Sequence, residues 1–104
     1  MAFDEPFYRK MAAQKWKQQD FKKAADYYSK VLELSPEDFD IQLNYAQCLV
    51  KLGFGSRAEH LFYENIINDR RVADSFYELS QLNIELNEPN KAFLFGINYV
   101  LITD

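Results

Sequence analysis

A recurrence of 34 residues constrains this chain more than any other feature. Met11-Ala12 is followed at that interval by Tyr45-Ala46 and then by Leu79-Ser80. Ala24 recurs as Ala58 and Ala92, Trp16 as Val50 and Ile84, and Ser35 as Asp69 and Thr103, with no insertion. Such a period means that one supersecondary unit is copied in tandem, and no copy buries its hydrophobic face alone. The residue types say which unit. Two antiparallel helices approach to ~8–10 Å where small side chains meet at the crossing and large ones surround it. Ala12, Ala46 and Ser80 supply the small residue on the first helix of each copy, and Ala24, Ala58 and Ala92 on the second. The expectation is an all-α chain of six helices in three antiparallel hairpins. The repeats divide as 5–38, 39–72 and 73–104 within a single domain over 1–104.

This pattern resembles the tetratricopeptide repeat family, and the likeness runs from Glu5 to Asp104. The resemblance implies a right-handed α-solenoid of three antiparallel helix pairs. The family pattern is kept unevenly. Its aromatic near the start of the unit is Tyr8 and Phe76 but Gln42 in the second copy, and its usual tyrosine is Lys15, Leu49 and Asn83. Tyr28 and Phe62 give way to Gly96, and Pro36 gives way to Arg70.

Local signals place the helices. Asp4 can cap a first helix ending near Gln18, and Pro6 suits its first turn. Asp20 caps a second helix reaching Leu34, with Phe21, Ala24, Ala25, Tyr28, Val31 and Leu32 at helical spacing. Ser35-Pro36-Glu37-Asp38 reads as a restart with Ser35 as cap and Pro36 as first helical residue. The third helix runs to Leu52, and Gly53 ends it by adopting positive φ. A fourth helix is expected over Ser56–Asn68, a fifth from Asp69 to Leu86, and a sixth from Pro89 to Ile102.

Composition narrows the function. The chain has 104 residues, 48% of them hydrophobic, with three Gly and three Pro, which disfavours an all-β fold of many turns. It lacks an apolar run of ~18 residues that could cross a membrane. The start Met-Ala-Phe-Asp-Glu-Pro carries no leader pattern, and the one cysteine cannot form an internal disulfide, so a cytoplasmic setting is expected. The net charge of −4 disfavours nucleic acid. Residues 5–38 hold seven cationic and six acidic side chains, residues 39–72 four of each, and residues 73–104 one lysine and five acids. The acidity is concentrated in the last repeat.

No catalytic constellation emerges. His60 and Glu64 lie four apart as metal ligands can, but a site needs more ligands and this is the only histidine. Cys48 has no histidine placed to activate it and reads as a buried, inert thiol. Arg57, Arg70 and Arg71 read as a solvated or structurally paired cluster, and Asp74 and Glu78 as surface acids. No phosphate loop and no zinc pattern is present. The chain is read as non-enzymatic, without metal or cofactor.

What remains is a surface. The resemblance implies that the first helix of each pair lines a concave groove. Its groove positions are Pro6, Arg9, Ala13, Trp16 and Lys17, then Asp40, Leu43, Gln47, Val50 and Lys51, then Asp74, Tyr77, Gln81, Ile84 and Glu85. One row, Trp16, Val50 and Ile84, is apolar throughout, and another holds Arg9, Leu43 and Tyr77. These predict an apolar floor beside Gln47 and Gln81 that takes a helix or extended peptide of a partner protein. One subclass of the family clamps the C-terminal carboxylate of heat-shock chaperones. Of its places, only Arg9 and Asn44 are compatible here, and Asp74 and Glu78 would repel a carboxylate. That function is rejected.

The leading expectation is a protein-interaction module or scaffold. The alternatives are a small secretion-chaperone-like protein that sequesters an aggregation-prone partner, and a self-associating scaffold. The latter follows from the last helix, where no capping helix follows Phe95, Tyr99 and Ile102. Either a homodimer forms through that row or the chain is a fragment of a longer one.

Overall fold

A computed structural model of the chain describes residues 4–103. Asp104, which closes the third repeat, and the Met1–Phe3 start lie outside the described residues. Six helices follow one another: α1 (Glu5–Lys17), α2 (Phe21–Leu34), α3 (Phe39–Lys51), α4 (Gly55–Ile67), α5 (Val72–Glu85) and α6 (Pro89–Thr103). Each packs on the next, and α3 also touches α5. The result is an elongated stack of 49 × 25 × 21 Å. Its radius of gyration is 14.2 Å, above the ~13 Å of a compact domain of this length.

The crossings fall where the recurrence places them. Ala12, Ala24, Ala46 and Ala58 are wholly buried, and Ala92 nearly so. At the third crossing the small residue is polar, and the Ser80 hydroxyl donates to the Ala92 carbonyl at 3.1 Å. That hydroxyl also lies 3.4 Å from where a Cβ on Gly96 would stand, so α5 and α6 approach closely there.

Side-chain caps explain the first three helix starts. Asp4 accepts from the Phe7 N–H and Asp20 from the Lys23 N–H, both at 3.2 Å. Each satisfies one of the orphan donors of a first turn. Gly53 ends its turn at φ +87°, a conformation that would strain any other side chain. Two expected starts are corrected. Ser35 does not cap α3, because its hydroxyl donates to the Glu5 carboxylate instead. Asp38 takes the role, accepting from the Ile41 N–H at 3.1 Å, and Pro36 stays in the turn. Nor does a helix restart at Asp69. Asp69 and Arg71 both hold positive φ, and α5 begins at Val72.

Two clusters form the core. Ala12, Ala24, Ala25, Tyr28, Val31, Ile41 and Cys48 make the first, and Leu43, Ala46, Leu49, Ala58, Phe62 and Leu79 the second. The seam between α4 and α5 is different. In the 34-residue frame Asn65 stands where Val31 does, and Ser75 where Ile41 does. Both are fully buried. Neither atom of the Asn65 amide has a hydrogen-bond partner, and the Ser75 hydroxyl has none. Buried polar groups left so cost free energy, so the second junction is the less cohesive one.

Candidate functional site

The first helices α1, α3 and α5 share one side of the stack, and between them lies a hollow of about 340 Å³. Trp16 lines it from α1, Gln47, Val50 and Lys51 from α3, and Glu78, Gln81, Leu82 and Glu85 from α5. Helical spacing brings them together. Gln47, Val50 and Lys51 are three and four residues apart, as are Glu78, Gln81 and Leu82, and each set therefore shares one helix face. Trp16 is anchored edge-on to Phe21, with ring centroids 5.1 Å apart, so α2 fixes the wall that α1 offers.

The polar chemistry centres on Glu78. Gln47 donates to its carboxylate from Nε2 at 3.1 Å, which ties α3 to α5 across the hollow. Burial raises the Glu78 carboxyl above its ordinary value, more than the Gln47 hydrogen bond lowers it, and the nearby Asp74 charge adds to the rise. Glu78 is thus no surface acid, which corrects the expectation. The site joins an indole, two aliphatic side chains, two carboxylates, two amides and one ammonium. Such a set can receive an apolar or aliphatic stem ending in a hydrogen-bond donor or a cation. Nothing in it supplies an activated nucleophile.

The structure sorts the predicted groove residues. Trp16, Gln47, Val50, Lys51 and Gln81 gather at the hollow. Leu43 does not: it is 3% exposed and belongs to the second core cluster with Ala46 and Phe62. A ligand cannot reach it, because α3 turns that face toward the core. Arg9 is also reassigned. It donates to Glu5 at 2.7 Å through Nε and pairs with Asp38. Glu5, Arg9, Ser35 and Asp38 thereby strap α1 to the turn before α3, and Arg9 is not free to present its charge to the groove. Burial pushes the Asp38 carboxyl up, but Arg9 and the Ile41 N–H outweigh it and leave the group below its ordinary value. The Ser35 hydroxyl and then Arg9 lower that of Glu5.

Tyr77 is 47% exposed and stands beside Tyr99 of α6, with ring centroids 5.5 Å apart, away from the hollow's lining. Ile84 is exposed and also outside it. Ala13 and Lys17 are exposed on α1, and Asn44 is half-buried on α3. Sequence reasoning passed over Leu82 as a lining residue. Its signal was available, since it lies one turn beyond Glu78 on α5.

A larger hollow of about 620 Å³ lies at the turns, lined by Glu37, Asp38, Phe39, Asp40, Asp69, Arg70 and Arg71. Its cations are already engaged. Arg71 pairs with Asp40 at 2.8 Å and Asp74 at 2.7 Å, and Arg70 lies over the Phe39 ring. Arg57 stands elsewhere, over Phe54 and beside the Tyr45 hydroxyl, so the three arginines do not gather. His60 meets Glu64 at 3.3 Å as an exposed pair. Among the described residues no group of three or more metal-ligating side chains comes together. Cys48 is fully buried, and burial pushes its thiol up to about 12.

The row Phe95, Tyr99 and Ile102 is the wrong face of α6 for self-association. Phe95 packs against Tyr63 and Phe76, with ring centroids 6.0 and 6.3 Å away, and Tyr99 against Tyr77. Only Ile102 of the three remains exposed. The other large apolar side chains of α6 that are uncovered are Phe93, Leu94, Ile97, Val100 and Leu101. No described helix is long and apolar enough to cross a membrane.

Comparison with known proteins agrees with the fold. No curated protein matches the chain in sequence. Among solved structures, the one titled "Crystal structure of MamA protein" is similar, with a TM-score of 0.73 at 22% identity. The match covers 88% of this chain and 50% of that one, so this chain spans about half its length. A family model described as tetratricopeptide repeat matches residues 15–62, from the end of α1 through most of α4. Tetratricopeptide repeats are in general protein–protein interaction modules and in general non-catalytic. Residues 15–62 thus match the tetratricopeptide repeat in sequence, and the fold of the described chain is similar to that of the solved structure.

Proposed function

We propose that the three hairpins act as one non-catalytic interaction domain whose α1–α3–α5 hollow binds a segment of a partner protein. The observation that carries this is the hollow's composition. Trp16 and Val50 offer an apolar wall, while Glu78 and Glu85 place carboxylates and Lys51 an ammonium beside it. A partner helix or extended peptide would insert an apolar side chain or the stem of a lysine or arginine along that wall. The carboxylates would receive the cationic end. With Arg9 strapped to Glu5 and Asp38, the partner has little need of acidic residues toward the first repeat. Its basic residues belong toward the third. The wall supplies most of the affinity, and the charges set orientation and association rate. A cytoplasmic, reducing setting suits the single buried thiol. The net negative charge argues for a protein rather than a nucleic acid as ligand.

The test is affinity capture with the full chain, then titration of the captured partner by calorimetry. Trp16→Ala and Val50→Ala should each weaken binding by ~1–3 kcal/mol if these side chains are anchors. Glu85→Lys should slow association and reverse the salt dependence. Full affinity in all three variants, with helicity intact, would remove the hollow as the binding site.

A further inference from the structure

We propose that the third hairpin, α5–α6, unfolds and refolds as one unit while α1–α4 stay folded, so that one wall of the hollow is releasable. The two junctions between hairpins are built differently. At the first, Val31 of α2 and Ile41 of α3 meet in an apolar cluster with Tyr28 and Cys48. Their counterparts 34 residues on are Asn65 and Ser75, and Asn83 stands where Leu49 does. All three are fully buried. Both atoms of the Asn65 amide, the Ser75 hydroxyl and the Asn83 side-chain oxygen find no hydrogen-bond partner among the described residues. The closed seam deprives each such atom of water, and release gives the water back. Opening the second junction therefore costs less than opening the first.

The fastenings differ as well. Glu5, Arg9, Ser35 and Asp38 strap the first junction, and Asp38 also caps α3. The same places 34 residues on hold Phe39, Leu43, Asp69 and Val72, which cannot repeat the strap. In its stead Arg71 pairs with Asp40 and Asp74 at exposed positions, where salt screens the attraction. Arg71 opens α5 at φ +47° and gives it no side-chain cap. Within the hairpin the ties are closer. The Ser80 hydroxyl donates to the Ala92 carbonyl, Phe76 stands beside Phe95, and Tyr77 beside Tyr99. α5 and α6 therefore leave together. Leu79 within the second core cluster and Phe95 against it anchor the hairpin and keep the closed form dominant. α5 supplies Glu78, Gln81 and Glu85 to the hollow, so release dismantles it. A partner that spans α1, α3 and α5, which rests on the function proposed above, holds the hairpin in place.

Native-state hydrogen exchange of the full chain at low urea, read by peptide mass spectrometry, is the test. Amides of α5 and α6 should exchange through one common opening, at least ~tenfold faster than the slowest amides of α1–α4 and with a smaller urea dependence. Two variants separate release from other motions. Ala24→Gly weakens the α1–α2 hairpin, which is intact in the released form. It should speed exchange of the slowest α1–α4 amides by about fivefold and leave α5–α6 unchanged. Asn65→Leu removes an unpartnered amide from the seam and should slow exchange in α5–α6 at least ~fivefold. Simple fraying of chain ends would loosen α1–α2 as much as α5–α6, and that result overturns the proposal. So does one urea dependence shared by all six helices, or α5 opening separately from α6. Exchange in α5–α6 that responds to Ala24→Gly, or fails to respond to Asn65→Leu, overturns it too. No partner enters these measurements, so binding in the hollow stands or falls separately.

Discussion

Replacing Asn65 with leucine should make the protein more stable, against the usual direction of core substitutions. Asn65 is fully buried on α4, and neither its amide nitrogen nor its oxygen has a hydrogen-bond partner. Leucine has the same branching at Cγ, so the shape changes little. Removing an unpartnered buried polar group recovers ~1–3 kcal/mol. Burying the leucine side chain adds ~1.5–3 kcal/mol. Misfit in a packed seam takes back ~1–3 kcal/mol. The net expectation is a gain of about 1–3 kcal/mol. For a domain of this size that raises the Tm by ~4–8 °C per kcal/mol. Urea denaturation followed by circular dichroism measures it, with an unchanged m-value showing that the unfolded state is not the cause. The reciprocal change at the equivalent position is the control. Val31 is also fully buried, and Val31→Asn should cost ~3 kcal/mol or more, since it plants an unpartnered amide in an apolar cluster. If Asn65→Leu lowers the midpoint, the amide has partners in solution and the reading of the α4–α5 seam as the weak junction is refuted.

Two further expectations follow from packing and charge. Ala58 is wholly buried at the α3–α4 crossing, so Ala58→Leu should overpack it and cost ~1–3 kcal/mol by the same denaturation assay. Acid should act in two opposed ways. Asp38 and Glu5 are lowered in the folded state, so their contribution is complete above the ordinary carboxylate range and is lost as pH falls through their folded values. Glu78 is raised above its ordinary 4.5, so the folded state binds its proton more readily and falling pH relieves the cost of its buried charge. Stability measured against pH should therefore fall more gently on the acid side in Asp38→Asn. Glu78→Gln should be more stable than the parent chain at neutral pH, and the difference should vanish once Glu78 is protonated.

The six helices, the three hairpins and the alanine crossings were legible in the amino-acid order. They depend on a period, and a period is a property of sequence. Each copy of the unit faces the same steric problem at its crossing, so the small residue must return at the same interval. Capping was less legible. Ser35 and Asp38 both have the chemistry of an N-cap, and only the fold brings Glu5 to the Ser35 hydroxyl and leaves Asp38 for the helix. The site was half legible for a related reason. Trp16, Val50, Lys51, Gln47 and Gln81 come from the right helices and the right sides of them. Leu43 comes from the right helix, but the angle at which α3 packs on its neighbours carries it into the core. Arg9 has the right charge, yet a side chain 29 residues away neutralises it. The last helix makes the same point at larger scale. Its residues are apolar almost all the way round, so sequence alone cannot say which side is inward. The contacts of Phe95 with Tyr63 and Phe76, and of Tyr99 with Tyr77, decide it and turn Phe93, Ile97 and Leu101 outward. Periodicity and local propensity are written along the chain, whereas the orientation of a helix about its own axis is set by the neighbours it meets.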